Sequence, residues 1–268
     1  MGLVQHLDGL HAIAGLLVGL LVGLTGVGGG SLMTPLLIFV FNMKPHLAIG
    51  TDLLFAAFTK MGGTISLARA RIVDWRIVGQ VASGSIPATL VTLYILQRLG
   101  PANPATQTLM TTTLGIALLL TATATFYKVL RGKAVPTRIA PEQLAEATRP
   151  RHWIQPVLFG AVIGSLVTLT SVGAGAIGVI VLMMLYPALP LPRIVAADIA
   201  HAVPLTLVAG LGHASIGSVD WPLLLKLLAG SLPGIWIGSH LMRRMPDRVI
   251  RSLLSMLLAY AGAKLISI

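Results

Sequence analysis

Two glycine-rich runs hold the residues that are best placed to bind a ligand. The first is Gly-Val-Gly-Gly-Gly at residues 26–30, and the second is Ser-Val-Gly-Ala-Gly at residues 171–175, each preceded by a threonine. Glycine lets a backbone leave helical geometry and approach a ligand closely. A helix that restarts at Ser31 or Ala176 would expose free N–H groups and the positive end of its dipole, which favours an anion.

The residues in and beside these runs are therefore candidate binding groups. We expect the threonine and serine hydroxyls to add hydrogen-bond donors. Two alternatives remain open: close helix packing through small residues, or a cation site made of freed carbonyls. The full candidate set, including one lysine discussed below, is Thr25, Gly26, Gly28, Gly29, Gly30, Ser31, Lys60, Thr170, Ser171, Gly173, Ala174 and Gly175.

Two aspartates recur at matching places after the runs, Asp52 after the first and Asp198 after the second. A carboxylate deep in a membrane is costly and often marks ion or proton coupling. The alternative is a capping or first-turn acid near the interface, because we expect each aspartate to begin its helix. An ionised aspartate would repel an anion, and a shared proton or Na⁺ would relieve that repulsion.

A lysine and a histidine complete the ionisable candidates. Lys60 lies eight positions after Asp52, which is about two turns along one helix face. A lysine in the middle of a membrane-spanning helix should face a cavity or a partner such as Asp52, and it would attract an anion. His201 follows Asp198 by about one turn and is either a proton relay or a hydrogen-bonded packing residue. We assign Asp52, Asp198 and His201 as candidate coupling residues.

Two further duplicated features have plainer interpretations. The pairs Asp74-Trp75 and Asp220-Trp221 stand at loop-to-helix junctions, where aspartate caps a helix and tryptophan anchors it at the membrane interface. Pro87 and Pro233 lie inside predicted helices, where proline removes a backbone hydrogen bond. We expect a hinge or a packing kink there.

The composition indicates a membrane protein. Of 268 residues, 55% are hydrophobic and 10% are charged, against about 25% charged in an ordinary soluble domain. Residues 53–67, 77–96 and 106–126 carry almost no charge, and about 20 apolar residues span a bilayer as a helix. The net charge of +11 fits basic loops facing anionic lipid rather than nucleic acid. The chain contains no cysteine, which excludes disulfide and thiolate chemistry.

The sequence repeats internally. Besides the glycine runs and the aspartates, Gly-Ser-Ile-Pro at residues 84–87 matches Gly-Ser-Leu-Pro at residues 230–233, with one residue inserted in the second copy. Each copy is expected to hold a glycine-linked pair of short or half helices and three spans. The spans are predicted at 48–68, 75–97 and 105–128, then at 193–213, 221–242 and 248–267. The predicted units are a first repeat at 1–130, a polar linker at 131–152 and a second repeat at 153–268.

The basic residues predict the orientation. Most of them fall in the 69–76 loop, in or beside the linker, and in the 243–251 loop, which this topology places on one face. The positive-inside rule makes that face cytoplasmic and puts both termini outside. Each copy crosses the membrane an odd number of times, so the copies are inverted relative to each other. The predicted fold class is an all-α polytopic membrane protein of two inverted-topology repeats, an architecture of transporters.

The residues resemble those of a known family. The segment Gly-Leu-Thr-Gly-Val-Gly-Gly-Gly-Ser-Leu-Met-Thr-Pro-Leu-Leu at residues 23–37 is similar to the first-repeat signature of the TauE/SafE sulfite exporters, also called the toluene sulfonate uptake permease family. The resemblance covers nearly the whole chain. It implies transport of sulfite or an organosulfonate across a bacterial inner membrane. The second copy departs at Ala174, opposite Gly29, and at Ile180, opposite Pro35.

These features predict a secondary transporter of a small sulfur-containing anion, driven by a proton or sodium gradient through alternating access. No Walker motif follows the glycine run, so ATP is not the expected energy source. An anion channel is the main alternative. An intramembrane enzyme is disfavoured because zinc-protease and nucleophile-elbow motifs are missing from the sequence. The expected partners are the anion, the coupling ion and the lipid bilayer, with no cofactor, no metal site and no nucleic acid; the sequence leaves the oligomeric state open.

Overall fold

A computed structural model describes residues 15–20, 30–131, 153–241 and 247–267, and within these ranges the regular elements are ten helices. We number them in chain order. They are α1 (residues 15–20), α2 (Gly30–Phe39), α3 (Pro45–Arg69), α4 (Trp75–Leu99), α5 (Pro104–Arg131), α6 (Ile154–Thr170), α7 (Ala176–Leu185), α8 (Leu191–Ser215), α9 (Trp221–Leu241) and α10 (Asp247–Ile266).

The helix ends follow local signals in the sequence. All six predicted long helices are present, with ends within three residues of the predicted ones. Asp74 caps α4 by accepting the Arg76 N–H at 3.2 Å, and Asp220 accepts the Leu223 N–H at 3.0 Å. The predicted capping role of both aspartates is confirmed. The predicted linker lies outside the described residues except for Arg131, which ends α5.

Two helices are too short to cross a bilayer. Helices α2 and α7 have 10 residues each, which is about 15 Å of helix against a hydrocarbon core of about 30 Å. Each precedes a helix of 25 residues, α3 or α8. The short helices predicted after the glycine runs are therefore present in both halves of the chain.

Three described helices are individually long and apolar enough to span a membrane, over Trp75–Leu99, Pro104–Phe126 and Leu191–Ser215. Helices such as α6 and α7 are shorter. Helix α3 has 25 residues but carries the buried charged side chains of Asp52 and Lys60. Large apolar side chains such as Leu90, Val91 and Ile95 of α4 are at least half exposed, as expected of a surface that faces lipid. The chain is a multi-pass helical membrane protein.

The first helix of each half packs against the fourth helix of the other half. A Cβ added to Gly160 or Gly164 of α6 would overlap the backbone of α4 at Val81 or Ser85. In the same way, Gly15 and Gly19 of α1 meet α9 at Leu227 and Ser231. These contact pairs occupy equivalent positions in the sequence repeat. Small residues allow such close backbone approach in membranes.

The third helices of the two halves cross each other in opposite directions. Leu54, in the first part of α3, packs against Gly210 in the last part of α8. Thr64, in the last part of α3, donates a hydrogen bond to the Ile199 carbonyl near the start of α8 at 3.5 Å. Helices α5 and α10 are also paired, with Gly115 facing Gly262. The third and fifth helices of each half thus pack against their equivalents in the other half. Helices α3 and α8 carry buried charged side chains, Asp52 and Lys60 on α3 and Asp198 on α8.

Candidate functional site

The second glycine-rich run forms a sharp break between α6 and α7. Ser171 adopts a left-handed conformation with φ 59°, and its N–H closes α6 by donating to the Val167 carbonyl at 2.7 Å. Gly173 and Gly175 have φ values of 134° and 125°, which side chains with a Cβ rarely adopt. Helix α7 begins at Ala176. The predicted helix restart at this residue is confirmed.

The break is buried in protein, as irregular backbone inside a membrane must be. Thr170 contributes to its shape, because its hydroxyl oxygen accepts the Val172 N–H at 3.1 Å and lies 2.6 Å from the Leu166 carbonyl it donates to. This hydroxyl is engaged by the local backbone. Among the hydroxyls predicted to bind a ligand here, Ser171 is the better placed.

The start of α7 offers backbone donors. Val179 makes the first regular bond of this helix, to the Gly175 carbonyl at 3.0 Å, and Gly178 donates to the Gly173 carbonyl at 3.2 Å. The N–H groups of Ala176 and Ile177 precede these bonds and have no intrahelical acceptor. A Cβ at Gly178 would overlap the Asp198 carboxylate, so a charged side chain of α8 lies directly against the first turn of α7.

Asp52 lies in a different polar setting. Its side chain is 0% exposed, and Oδ2 accepts a hydrogen bond from the Thr34 hydroxyl of α2. The Ser171 hydroxyl of the break also faces this carboxylate. Neither Asp52 Oδ1 nor Ser171 Oγ has a hydrogen-bond partner of acceptable geometry within the described residues. Asp52 therefore joins α3 to the short helix of its own half and to the break of the other half.

The expectation that both aspartates begin their helices was wrong. Each is the eighth residue of its helix, since α3 starts at Pro45 and α8 at Leu191. A proline in the first two positions of each helix starts it earlier than the apolar pattern indicates. The carboxylates lie about two turns inside, where a capping role is excluded.

Lys60 is also buried, with 9% of its surface exposed. The carboxylates of Asp198 and of Asp52 both lie within electrostatic reach of its ammonium group. The sequence predicted Asp52 as a partner, and the antiparallel crossing of α3 and α8 adds Asp198. Lys60 therefore faces negative charge from both halves of the chain.

His201 is hydrogen-bonded to Ser85 of α4, with 2.8 Å between Nε2 and Oγ, and it lies within electrostatic reach of Lys60. This contact matches the packing interpretation of the histidine. The residues linked by these interactions form one cluster between the halves, which we call the polar core. Its members are Thr34, Asp52, Lys60, Ser85, Ser171, Asp198 and His201.

The other predicted binding residues belong to the two glycine-rich runs and their flanks. Thr25, Gly26, Gly28 and Gly29 fall outside the described residues. Gly30 begins α2, one residue before the predicted restart at Ser31, which is the second residue of that helix. In the second half, Gly173, Ala174 and Gly175 shape the break. The structure thus brings Ser171 close to Asp52 and the first turn of α7 close to Asp198, and Lys60 lies within electrostatic reach of both aspartates.

Sequence reasoning missed three participants. Thr34 follows the first glycine run as a lone threonine in an apolar stretch, a signal that could have been read as a polar contact. Ser85 was considered only as part of the proline motif. Gly178 carried no signal, because its importance depends on the approach of Asp198.

An open apolar cleft lies between α5 and α10, lined by Leu119, Ala122, Thr123, Phe126, Ser255, Met256 and Ala259. It shares no residue with the polar core. Its lining has no ionisable side chain, so it has no means of recognising a charged solute.

The ten helices and their buried charges define a polytopic α-helical membrane protein with a broken helix at its centre. Residues 11–265 match the family model described as sulfite exporter TauE/SafE, and the chain belongs to this family. It is 36% identical to "Probable membrane transporter protein YjnA" of Bacillus subtilis, covering 95% of this chain and 98% of that protein. It is 28% identical to "Probable membrane transporter protein YdhB" of the same organism, covering 93% and 96%. No solved structure gives a significant match.

Proposed function

We propose that the protein is a secondary transporter that carries a small sulfur-containing anion, sulfite or an organosulfonate, across the bacterial inner membrane. The family match and the names of the relatives indicate a membrane transporter. The observation that supports a negatively charged substrate is the buried break before α7, because the first turn of this helix lies against Asp198 and Asp198 lies within electrostatic reach of Lys60. Helix N-termini of this kind bind anions, and broken helices hold substrates in transporters.

Lys60 is the proposed electrostatic attractor of the substrate. It is buried between the two halves and interacts with Asp198. An incoming anion would exchange part of this interaction for its own contact with the ammonium group and the first turn of α7. A negative solute close to Asp52 would be repelled, so neutralisation of Asp52 by a proton or a sodium ion would couple substrate binding to a gradient.

Alternating access would rock one half of the chain against the other about the polar core. The reciprocal packing of α1 with α9 and of α6 with α4, together with the antiparallel crossing of α3 and α8, supports an inverted arrangement of the two repeats. In this proposal both termini are periplasmic and the linker is cytoplasmic. At these interfaces the glycines let the helix backbones approach each other closely.

The test is transport by the purified protein in liposomes. Labelled sulfite or a labelled sulfonate should accumulate under an imposed sodium or proton gradient and should saturate with concentration. Loss of one hydrogen bond to a charged group costs about 1.5–3 kcal/mol, so Lys60→Met should weaken apparent affinity about 10- to 100-fold. Lys264→Met is the matched control, because Lys264 is exposed on α10.

Three outcomes would overturn the proposal or one of its parts. Failure of every sulfur anion to move would remove the substrate assignment. A flux that rises linearly with concentration and ignores the gradient would favour an anion channel. Equal loss of affinity in Lys60→Met and Lys264→Met would remove Lys60 from the site.

A further inference from the structure

The polar core holds two carboxylates and one lysine. Lys60 lies within electrostatic reach of Asp198 and of Asp52, and one ammonium group balances only one of these two negative charges. Lys60 is also the cation among the groups that act on Asp52 most strongly. A buried charge that lacks compensation is strongly destabilising. When Lys60 pairs with Asp198, the Asp52 carboxylate therefore requires one further positive charge.

The oxygen atoms around Asp52 are arranged for a small hard cation. Asp52 Oδ1 and Ser171 Oγ are both buried and lack hydrogen-bond partners within the described residues. Thr34 directs its hydroxyl proton to Oδ2, which leaves the lone pairs of its oxygen free to face a cation. Hydroxyl oxygen atoms from α2 and from the break thus both lie against the Asp52 carboxylate of α3. Hard cations take oxygen ligands of these types.

The backbone adds a favourable potential at the same place. Ser171 is the C-cap of α6, so the negative end of this helix dipole and its last carbonyls lie beside the Asp52 carboxylate. Unwound carbonyls and the C-terminal ends of half helices bind sodium ions in transporters with broken helices. The break would then present opposite signs at its two ends, with α6 facing a cation and α7 facing an anion.

We infer that Asp52, Thr34 and Ser171 form a binding site for a single sodium ion at the boundary between the two halves of the chain. One carboxylate and neutral oxygen ligands balance one positive charge, which favours a monovalent over a divalent ion. A proton on Asp52 Oδ1 would bridge this atom to Ser171 Oγ and would not engage the Thr34 oxygen, whereas a sodium ion would contact all three ligands. The role of this ion as the coupling ion rests on the proposed transport function.

The repeat does not duplicate this site. The position equivalent to Thr34 in the second copy is Val179, which has no hydroxyl, and the Asp198 carboxylate lies directly against Gly178 beside it. The structure therefore predicts one sodium ion per chain rather than two.

The test measures the thermal stability of the full-length protein in detergent while sodium chloride replaces potassium chloride at constant ionic strength. An ion that binds the folded state raises the melting temperature. We expect a rise specific to sodium that saturates with a Hill coefficient near one. Ser171→Ala should shift the half-saturating sodium concentration at least tenfold, and Asp52→Asn should abolish the sodium response. Ser255→Ala should retain it, since the Ser255 hydroxyl is also buried but bonds to its own helix on α10.

Equal melting temperatures in sodium and potassium for the unmodified protein would overturn the inference, as would an unchanged sodium response in Ser171→Ala and Asp52→Asn. If Asp52→Asn fails to fold, the Ser171→Ala titration decides alone. Transport of a sulfur anion that needs only a proton gradient would leave the proposed function standing without the sodium site. A sodium response that depends on Asp52, in a protein that moves no sulfur anion, would support the sodium site and contradict the proposed function.

Discussion

The environments of Asp52 and Asp198 show how a sequence repeat can supply two different sites. Both aspartates are the eighth residue of a 25-residue helix, and both pack against the short helix of their own half. Around Asp52 that short helix offers the hydroxyl of Thr34, whereas Asp198 lies against the backbone at Gly178. Lys60 lies within electrostatic reach of both carboxylates.

This difference separates two tasks that a coupled anion transporter must perform. A cation-binding site needs a carboxylate with further oxygen ligands around it. An anion-binding site needs a positive group, and here Lys60 would have to exchange part of its interaction with Asp198 for the anion. The antiparallel crossing of α3 and α8 places both tasks in one buried cluster. The same substitution, made at Asp52 and at Asp198, should therefore change stability and transport by different amounts.

The largest difference is expected from neutralising each aspartate. Asp198→Asn leaves Lys60 without its main carboxylate, and breaking a buried ion pair from one side costs about 3–5 kcal/mol. Asp52→Asn, measured without sodium, should cost much less, because Lys60 keeps Asp198 as a partner and a buried carboxylate without its proposed ion is removed. Melting curves of the detergent-purified variants in potassium chloride measure both effects.

The double variant Asp198→Asn with Lys60→Met provides the control for this prediction. It removes both charges of the proposed pair and should recover most of the stability lost in Asp198→Asn. An equal loss from the two single aspartate variants, or no recovery in the double variant, would show that the two sites are not different in kind.

The second prediction concerns the space beside Asp198. A Cβ at Gly178 would overlap the Asp198 carboxylate, so Gly178→Ala must displace that side chain from α7. Overpacking a buried site costs about 1–3 kcal/mol, and we expect a loss of stability in this range together with weaker anion binding. Thermal melting and a transport assay measure the two effects.

Gly79→Ala is the matched control, because Gly79 is an exposed helical glycine with open space around its Cβ position. Alanine is better than glycine by about 0.5–1 kcal/mol within a helix, so this variant should be as stable as the unmodified protein or slightly more stable. A Gly178→Ala protein that melts and transports like Gly79→Ala would show that Asp198 does not need its present position.

The helices could be predicted from the sequence because apolar run length and local signals determine them. Asp74 and Asp220 cap their helices as expected, and Ala176 begins α7 where the glycine run predicts. The depth of Asp52 and Asp198 was misjudged, since the prolines extend α3 and α8 beyond the apolar pattern. Helix ends depend on such local chemistry, which an apolar window does not detect.

The polar core could be predicted only in part. The repeat identified Asp52, Asp198 and Lys60 as separate candidates within single helices. Their partners Thr34, Ser85 and Gly178 are set by contacts between helices, and no spacing within one helix encodes these contacts. The approach of Asp198 to Lys60 follows from the antiparallel crossing of α3 and α8, which a one-dimensional pattern does not determine.

The smallest expected effect concerns His201, which extends the comparison from the two aspartates to their neighbours. The His201–Ser85 hydrogen bond joins α8 to α4, and Phe55 occupies the equivalent position in the first half without such a bond. If His201 is a packing residue, His201→Gln keeps a polar atom near Ser85 and should cost about 1 kcal/mol, the value of one hydrogen bond. The pH dependence of transport should then be unchanged, because a packing residue does not exchange protons during transport and its loss removes no titrating step.

Transport rates measured across the physiological pH range test this, with Ser85→Ala as the variant that removes the same bond from the other side. A flattened pH profile in His201→Gln, with a normal profile in Ser85→Ala, would instead make His201 part of the coupling machinery and move proton handling to the Asp198 side of the polar core.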